Sequence, residues 1–512
     1  MQLSFLDIAF FFLFFLIVLG VSMYKSRKEE SGEDFFLAGR GLMWPMIGLS
    51  LIAANISTEQ IVGQAGQGAG NVGLAVASYE WMAAITLVFV AFFFLPRFLR
   101  SGIFTMPEFL EYRYNPTARF LMAIYTMIIY VGVTISAVIY SGALTINTIF
   151  DMNMIKAVWL IGGIAALYTT WGGLKAVAWA DLFQGGALII GGIVVMIFGF
   201  IAVGGVGNFM TTNADKLHMI LPADHPVLPW TALVIGLWIP NFYYWGLNQY
   251  ITQRTLASKS LKQGQMGILF AASLKLIIPF IVVFPGIMAY QLYRSQLAAT
   301  PDAAFPLMIR NLIPIGVRGL IFASIAGAVI SSLASMLNSA STIFTMDVYK
   351  KYIRKDASPK RQVTVGRIAT MILVVIGCFI APQLGNPKFQ GIFNYIQEFQ
   401  GFVSPGILAA FVFGMIFKKS PAAAGVTALV ASPIIYGILF FAAGDMAFLN
   451  RMAVTFAVIL VLMALITWWR PLTQPVTMPE REGFTDISLG KGVFRFGIGV
   501  ILVTLVLYVI FW

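Results

Sequence analysis

Five ionisable side chains sit in or at the edge of long apolar runs: Glu59, Glu80, Asp181, Lys275 and Glu398. Facing lipid, each would cost several kcal/mol, roughly 2.5 to 3.5 for a Lys or Asp at a helix centre, so each needs a partner or a cavity. Polar and aromatic residues accompany them: Tyr79, Glu80 and Trp81; Asn241, Tyr243, Tyr244 and Trp245; Gln397 and Glu398 with Phe393 close by. Amides and carboxylates that hydrogen-bond hydroxyls, flanked by aromatic faces that cover C–H surfaces, suit a neutral polyhydroxylated ligand such as a sugar. Two readings compete. The ionisable groups can pair internally, for instance Lys275 with an acid, and aromatics at a membrane interface are often belt residues. Aromatics inside a span beside charges do not fit a belt.

These residues hang on the stretch 51–70, LIAANISTEQIVGQAGQGAG, which lies where a membrane helix belongs yet carries Asn55, Ser57, Thr58, Glu59, Gln60, Gln64 and Gln67. Polar groups are tolerated at membrane depth where protein or a water-filled cavity satisfies them, so this helix is expected to line a solute site and to unwind there. Gly63, Gly66, Gly68 and Gly70 would let a neighbour approach its backbone closely. The alternative is a polar helix joined to its neighbours by hydrogen bonds. A second polar stretch, IFASIAGAVISSLASMLNSASTIFTMD, has a hydroxyl face of Ser331, Ser332, Ser335, Asn338, Ser339 and Ser341. A hard cation such as sodium wants hydroxyl and carbonyl oxygens, and the two segments together could supply both; small-residue helix packing is the other reading.

With 59% hydrophobic and 11% charged residues in 512, the chain reads as an integral membrane protein. The net charge of +12 comes from short Lys/Arg clusters between apolar runs, which is a topology signal and argues against nucleic acid as a partner. One cysteine, Cys378, and two histidines, His218 and His225, leave no disulfide framework, no zinc site and no histidine-based triad.

At roughly 20 residues per crossing, the apolar runs give about fourteen spans. The first, within 1–24, has its positive charges (Lys25, Arg27, Lys28) after the run, so it is expected to be a retained helix with its N-terminus outside. Alternating from there puts most Lys and Arg in cytoplasmic loops, the strongest anchor being 349–367, and leaves both termini outside. The loops 205–229 and 293–314 are long enough for short gating helices. Spans interrupted by polar or helix-breaking residues point to an inverted-repeat transporter. The second span is interrupted near Asn55 and the seventh near Pro240 and Asn241, five spans apart, as a five-plus-five repeat demands. No linker separates soluble domains, so the expectation is one all-α membrane domain. No nucleophile paired with a base appears, which sets a membrane enzyme or sensor well behind a carrier.

LIAANISTEQ, ASYEW, NFYYWGLNQYITQRTLASKS, ISSLASMLNSASTIFTMDVYKKY and FNYIQEFQGFVSPGI, in this order and spacing, resemble the sodium/solute symporter family, with its bacterial sodium/galactose and sodium/glucose symporters nearest. The resemblance covers nearly the whole chain. It implies fourteen helices with a LeuT-like ten-helix core (44–416), an extra N-terminal helix (1–24), three C-terminal helices (420–512), and alternating access without covalent chemistry. It places sodium on the carbonyls of Ala53, Ile56 and Ala328 and the hydroxyls of Ser331 and Ser332. The sugar falls on Asn55, Gln60, Glu80, Asn241, Lys275 and Gln397, with Tyr244 as inner gate, Trp245 and Phe393 as apolar walls, and Tyr79 and Gln64 on the outer side. Asp181 matches an acidic residue that influences sodium coupling without ligating the ion. Relatives using a second sodium carry a hydroxyl where this chain has Ala334, so the expectation is one sodium per cycle. Ala83 and Gln64 depart from the galactose symporter beside the sugar site, which leaves a polyol, sialic acid or an amino acid open as the solute. A bacterial inner membrane and no obligate protein partner complete these expectations.

Overall fold

The computed structural model describes residues 5–25, 37–171, 174–298, 300–386, 391–481 and 490–512. The basic pair Arg27 and Lys28 lies outside them. Every regular element among the described residues is helical. Among the described residues nine helices are long and apolar enough to cross a membrane, and two bent pairs raise that to as many as eleven; Phe5–Val18 and Met154–Leu167 are shorter apolar helices. Side chains such as Phe441, Trp468 and Val509 stand exposed on the outer helices, as expected where the solvent is lipid.

Numbering the helices that bear on the site, α1 is Phe5–Lys25, α2 Trp44–Asn55, α3 Thr58–Ala69, α4 Ser78–Phe89, α5 Ser136–Phe150, α6 Leu174–Ala202, α7 Trp238–Leu247, α8 Gln249–Leu256 and α9 Leu261–Lys275. They continue with α10 Ile278–Leu297, α11 Ala304–Leu312, α12 Val317–Ile343, α13 Ile392–Gln400, α14 Ser404–Ile416, α15 Ala422–Ala442, α16 Phe448–Trp469 and α17 Lys491–Ile510. The short helices Val206–Thr212 and α11 occupy the two long loops expected to hold them.

The break in the second span falls where the polar residues put it. Helix α2 ends at Asn55, Ser57 is extended, and α3 restarts at Thr58 with a 58° bend. Asn, Ser and Thr compete for backbone hydrogen bonds and favour helix ends. The Ser141 hydroxyl on α5, 2.9 Å from that of Thr58, ties the restart to a neighbour.

The seventh span breaks later than the sequence reading placed it. Pro240 and Asn241 lie inside α7, and the chain leaves helical geometry at Asn248, between α7 and α8. Pro240 occupies the first turn of α7, where its missing N–H costs little. Asn248 carries the break because Tyr130 binds both sides of it: its hydroxyl donates to Asn248 Oδ1 and accepts from the Tyr250 amide at 3.0 Å. The pair α13 and α14 is also bent, by 48°, around Gly401 to Val403.

Helix α2 packs along α9 and α6, and α3 along α10. Small residues permit this approach: a Cβ at Gly286 would collide with the Ala65 backbone, and one at Gly66 with Asp302.

Candidate solute and ion site

The break between α2 and α3 opens onto a cavity of about 50 Å³ lined by α3, α4, α7 and α13. Asn55, Gln60, Tyr79, Glu80, Asn241, Tyr244, Trp245, Phe393 and Gln397 all line it. Gln64 and Lys275 stand one contact behind, bonded to Glu80. Gln64 Nε2 donates to Glu80 Oε1 at 2.7 Å, while the Lys275 ammonium bonds Glu80 Oε2 and Asn55 Oδ1 and lies 4.8 Å from the Trp245 ring centre. Asn55 Nδ2 donates to the Tyr244 hydroxyl at 3.0 Å, which accepts from Tyr250 at 2.6 Å. Lys275 thus has the acidic partner that a buried ammonium requires. It remains part of the polar chain around the cavity.

A 50 Å³ space holds a water or two, so a monosaccharide needs the walls to move. The layers that would move are visible. On one side Tyr79 and Phe393 meet edge to face at 4.7 Å, with Gly63 giving Phe393 room against α3. On the other, Tyr244 sits between Trp245 and Tyr250. Several buried polar atoms here have no protein partner: Glu59 Oε2, Gln64 Oε1, the Tyr79 hydroxyl and Gln397 Oε1. Groups left in that condition cost stability unless something binds them, and all are suited to hydroxyls.

Beside the break, α12 and α6 bring together the second cluster. Asp181, wholly buried, accepts from Ser331 and Ser50 and from Arg254 at 2.9 Å. Arg254 also donates to Ser50 at 2.6 Å and to Ser335 at 2.6 Å. Ser332 is buried with its hydroxyl unpartnered by protein. Across α6, Gly185 packs against Ala53 and the Leu49 carbonyl, so Ala53, Asp181 and the serine pair share one neighbourhood.

Sequence reasoning missed some of this. Arg254, 1% exposed and bonded to Asp181, was not singled out in the sequence. Glu59 was flagged as ionisable and not carried to the cavity, which it lines with Gln400, Thr134 and Tyr250. Gln400 follows Gln397 by three residues, a helical spacing that could have found it; Thr134 has no such signal. Trp81 and Glu398 do not join the cavity. Trp81 donates to the Leu276 carbonyl at 3.2 Å and packs on Phe280, Tyr508 and Phe511, and Glu398 faces α15 and α16.

A buried polar cavity at a broken span, between two closed aromatic layers, is the build of a membrane solute carrier. The chain belongs to the sodium:solute symporter family, whose model matches residues 35–432. It is 41% identical to the sodium/glucose cotransporter of Vibrio parahaemolyticus, over 100% of this chain and 99% of that one. It is 37% identical to the uncharacterized symporter YidK of Escherichia coli, covering 98% and 90%. The solved substrate-bound, outward-open Na+-coupled sialic acid symporter superposes with a TM-score of 0.82 at 22% identity, over 93% of this chain and all of that one, which shows a common fold. The protein is therefore a sodium-coupled symporter of the membrane.

Proposed function

We propose that the protein imports a neutral monosaccharide of galactose or glucose type with one sodium ion per sugar, by alternating access. The observation that carries this reading is the convergence of Asn55, Gln60, Glu80, Asn241 and Gln397 with Tyr79, Tyr244, Trp245 and Phe393 on one cavity. Amides and a carboxylate bind hydroxyls, rings cover the sugar's C–H faces, and Lys275 and Gln64 hold Glu80 in place. A carboxylate solute is disfavoured because the Lys275 ammonium is already engaged by Glu80.

Sodium is assigned to the carbonyls of Ala53, Ile56 and Ala328 and the hydroxyls of Ser331 and Ser332. The end of α2 supports this, since terminal carbonyls lack the N–H a continuing helix would supply, as does the unpartnered Ser332 hydroxyl. Asp181, bonded to Ser331 and charge-paired with Arg254, sets that serine's orientation from behind. Sodium would join α2 to α12 and fix Asn55 and Gln60 for the sugar. By linkage, sugar then raises sodium affinity by the same factor. One charge falling through 100 mV is worth about 2.3 kcal/mol and a tenfold sodium gradient about 1.4, enough for several-hundredfold accumulation. Fourteen spans in a five-plus-five inverted repeat, both termini outside a bacterial inner membrane, complete the reading.

A polyol such as inositol is the second reading. Beside Glu80 the buried Gln64 Oε1 is an acceptor without a protein partner, which suits a ring with hydroxyls on every edge. Uptake of labelled galactose, glucose and inositol into liposomes, under a sodium gradient against a potassium control, tests both. Accumulation of a hexose only with sodium is expected. Sodium-driven accumulation of inositol alone replaces the first reading with the second.

A further inference from the structure

Helix α13 has two working faces. Phe393, Ile396, Gln397 and Gln400 line the central cavity; Asn394, Tyr395, Glu398 and Phe399 line a separate cavity of about 450 Å³ on its back. That second cavity is closed by Phe440 at the end of α15, the turn through Gly444 and Met446, the start of α16, and the loop at Pro226 and Val227. The positive-inside pattern puts this end of the bundle outside the cell.

The floor is a built polar site. Glu398 accepts from Arg451 at 2.9 and 2.7 Å and from the Tyr436 hydroxyl at 2.7 Å, so its charge is fully met. Arg451 is 5% exposed, and its Nε–H has no acceptor. A buried donor without a partner favours any ligand that brings an acceptor. Because Glu398 neutralises Arg451, the acceptor need carry no charge. The guanidinium lies 5.3 Å from the Phe440 ring, and Phe399 and Phe448 add further ring surface. A polar floor of zero net charge under aromatic walls, in a space several times that of the central cavity, is the chemistry that holds a hydroxylated ring.

We propose that this cavity is a second, externally open site for a neutral polyhydroxylated solute. Its occupant holds the back of α13, so binding there restrains the outer position of Phe393 and Gln397 and changes solute affinity at the central cavity. The link to transport rests on the function proposed above; the binding itself does not.

Calorimetric titration of the purified full chain with galactose, and separately with myo-inositol, with and without sodium, tests it. Two classes of site are expected for at least one probe, one needing sodium and one indifferent to it. Gly444→Phe, at an open position where an added Cβ would meet only the Phe440 carbonyl at 3.9 Å, should remove the sodium-indifferent class by filling the cavity mouth. Gln397→Ala should remove the other class. Arg451→Lys keeps the charge beside Glu398 while deleting the Nε–H, and should weaken the sodium-indifferent class alone. A sodium-dependent class alone in the parent protein, or a sodium-indifferent class untouched by both Gly444→Phe and Arg451→Lys, overturns the second site. A sodium-indifferent class alone in the parent protein would overturn the central assignment and leave this one standing.

Discussion

The Lys275 ammonium and the Glu80 carboxylate form an ion pair in which the two side chains are 1% and 2% exposed, with Asn55 and Gln64 bonded at its ends. Breaking a buried pair by removing one partner typically costs about 3 to 5 kcal/mol, because the other charge stays buried. Lys275→Met should therefore lower thermal stability sharply and abolish high-affinity solute binding. Lys275→Met with Glu80→Gln should recover much of the stability and little of the binding. Melting curves and solute titrations at fixed sodium separate the two losses, and equal recovery of both would take the pair out of the solute site.

Ser331 and Ser332 are neighbours with different commitments. Ser331 gives its hydroxyl to Asp181, whereas Ser332 has no protein partner. Ser332→Ala should raise the half-saturating sodium concentration about tenfold or more, the order of one hydrogen-bond-strength contact to a charge, with thermal stability unchanged. Sodium activation curves of uptake measure this. An unshifted curve would remove Ser332 from the ion's ligands.

Asp302, 5% exposed in the turn Pro301–Ala303, lies at the end of the bundle that the proposed orientation places outside. Its Oδ2 accepts from the Ile392 amide at 3.0 Å and its other oxygen fills the space that a Cβ at Gly66 would need, with Gln67 close by and Tyr140 of α5 within electrostatic reach. Burial pushes its carboxyl up to about 6, against a smaller opposing effect of the Ile392 N–H. Opening the outer side would return it to solvent and to its ordinary value of 3.8. The closed form thus holds the proton more tightly, so external acidification from pH 7 through 6 towards 4 should favour closure and slow uptake, by a bias of roughly 3 kcal/mol at most. Asp302→Asn should flatten this acid limb, and Gly66→Ala, whose methyl would strike Asp302, should favour the open form at every pH. An unchanged acid limb in Asp302→Asn would assign the effect elsewhere.

Much of the fold and site could be read before the structure because the signals were chemical and local. Polar groups at Asn55 to Gln60 pointed to a helix that unwinds, with an unbroken polar helix as the alternative, and the chain breaks between Asn55 and Thr58. Gly63, Gly66 and Gly68 had to face close neighbours, and Phe393, Asp302 and Val283 are those neighbours. The seventh span misled because Pro240 looks like a breaker in any sequence, while its place in the first turn of a helix is a three-dimensional fact. Asn248, which carries the break, is held by Tyr130, 118 residues away. Arg254 and Asp181, or Glu398 and Arg451, are likewise pairs made by packing, and nothing in either local sequence names the partner.

Ala334 stands wholly buried on α12, two residues after Ser332. Small size lets a serine enter with a modest packing cost, whereas threonine adds a methyl to a filled space. If one sodium per cycle follows from the missing hydroxyl, Ala334→Ser should supply part of a second site, and the Hill slope of sodium-dependent uptake should rise above one. A second ion would also add about 3.7 kcal/mol of drive at 100 mV and a tenfold gradient, so steady-state accumulation should steepen with membrane potential. The two measurements check each other: a steeper Hill slope without steeper voltage dependence would mean that the second ion binds without crossing, and the single-sodium stoichiometry would then rest on more than Ala334.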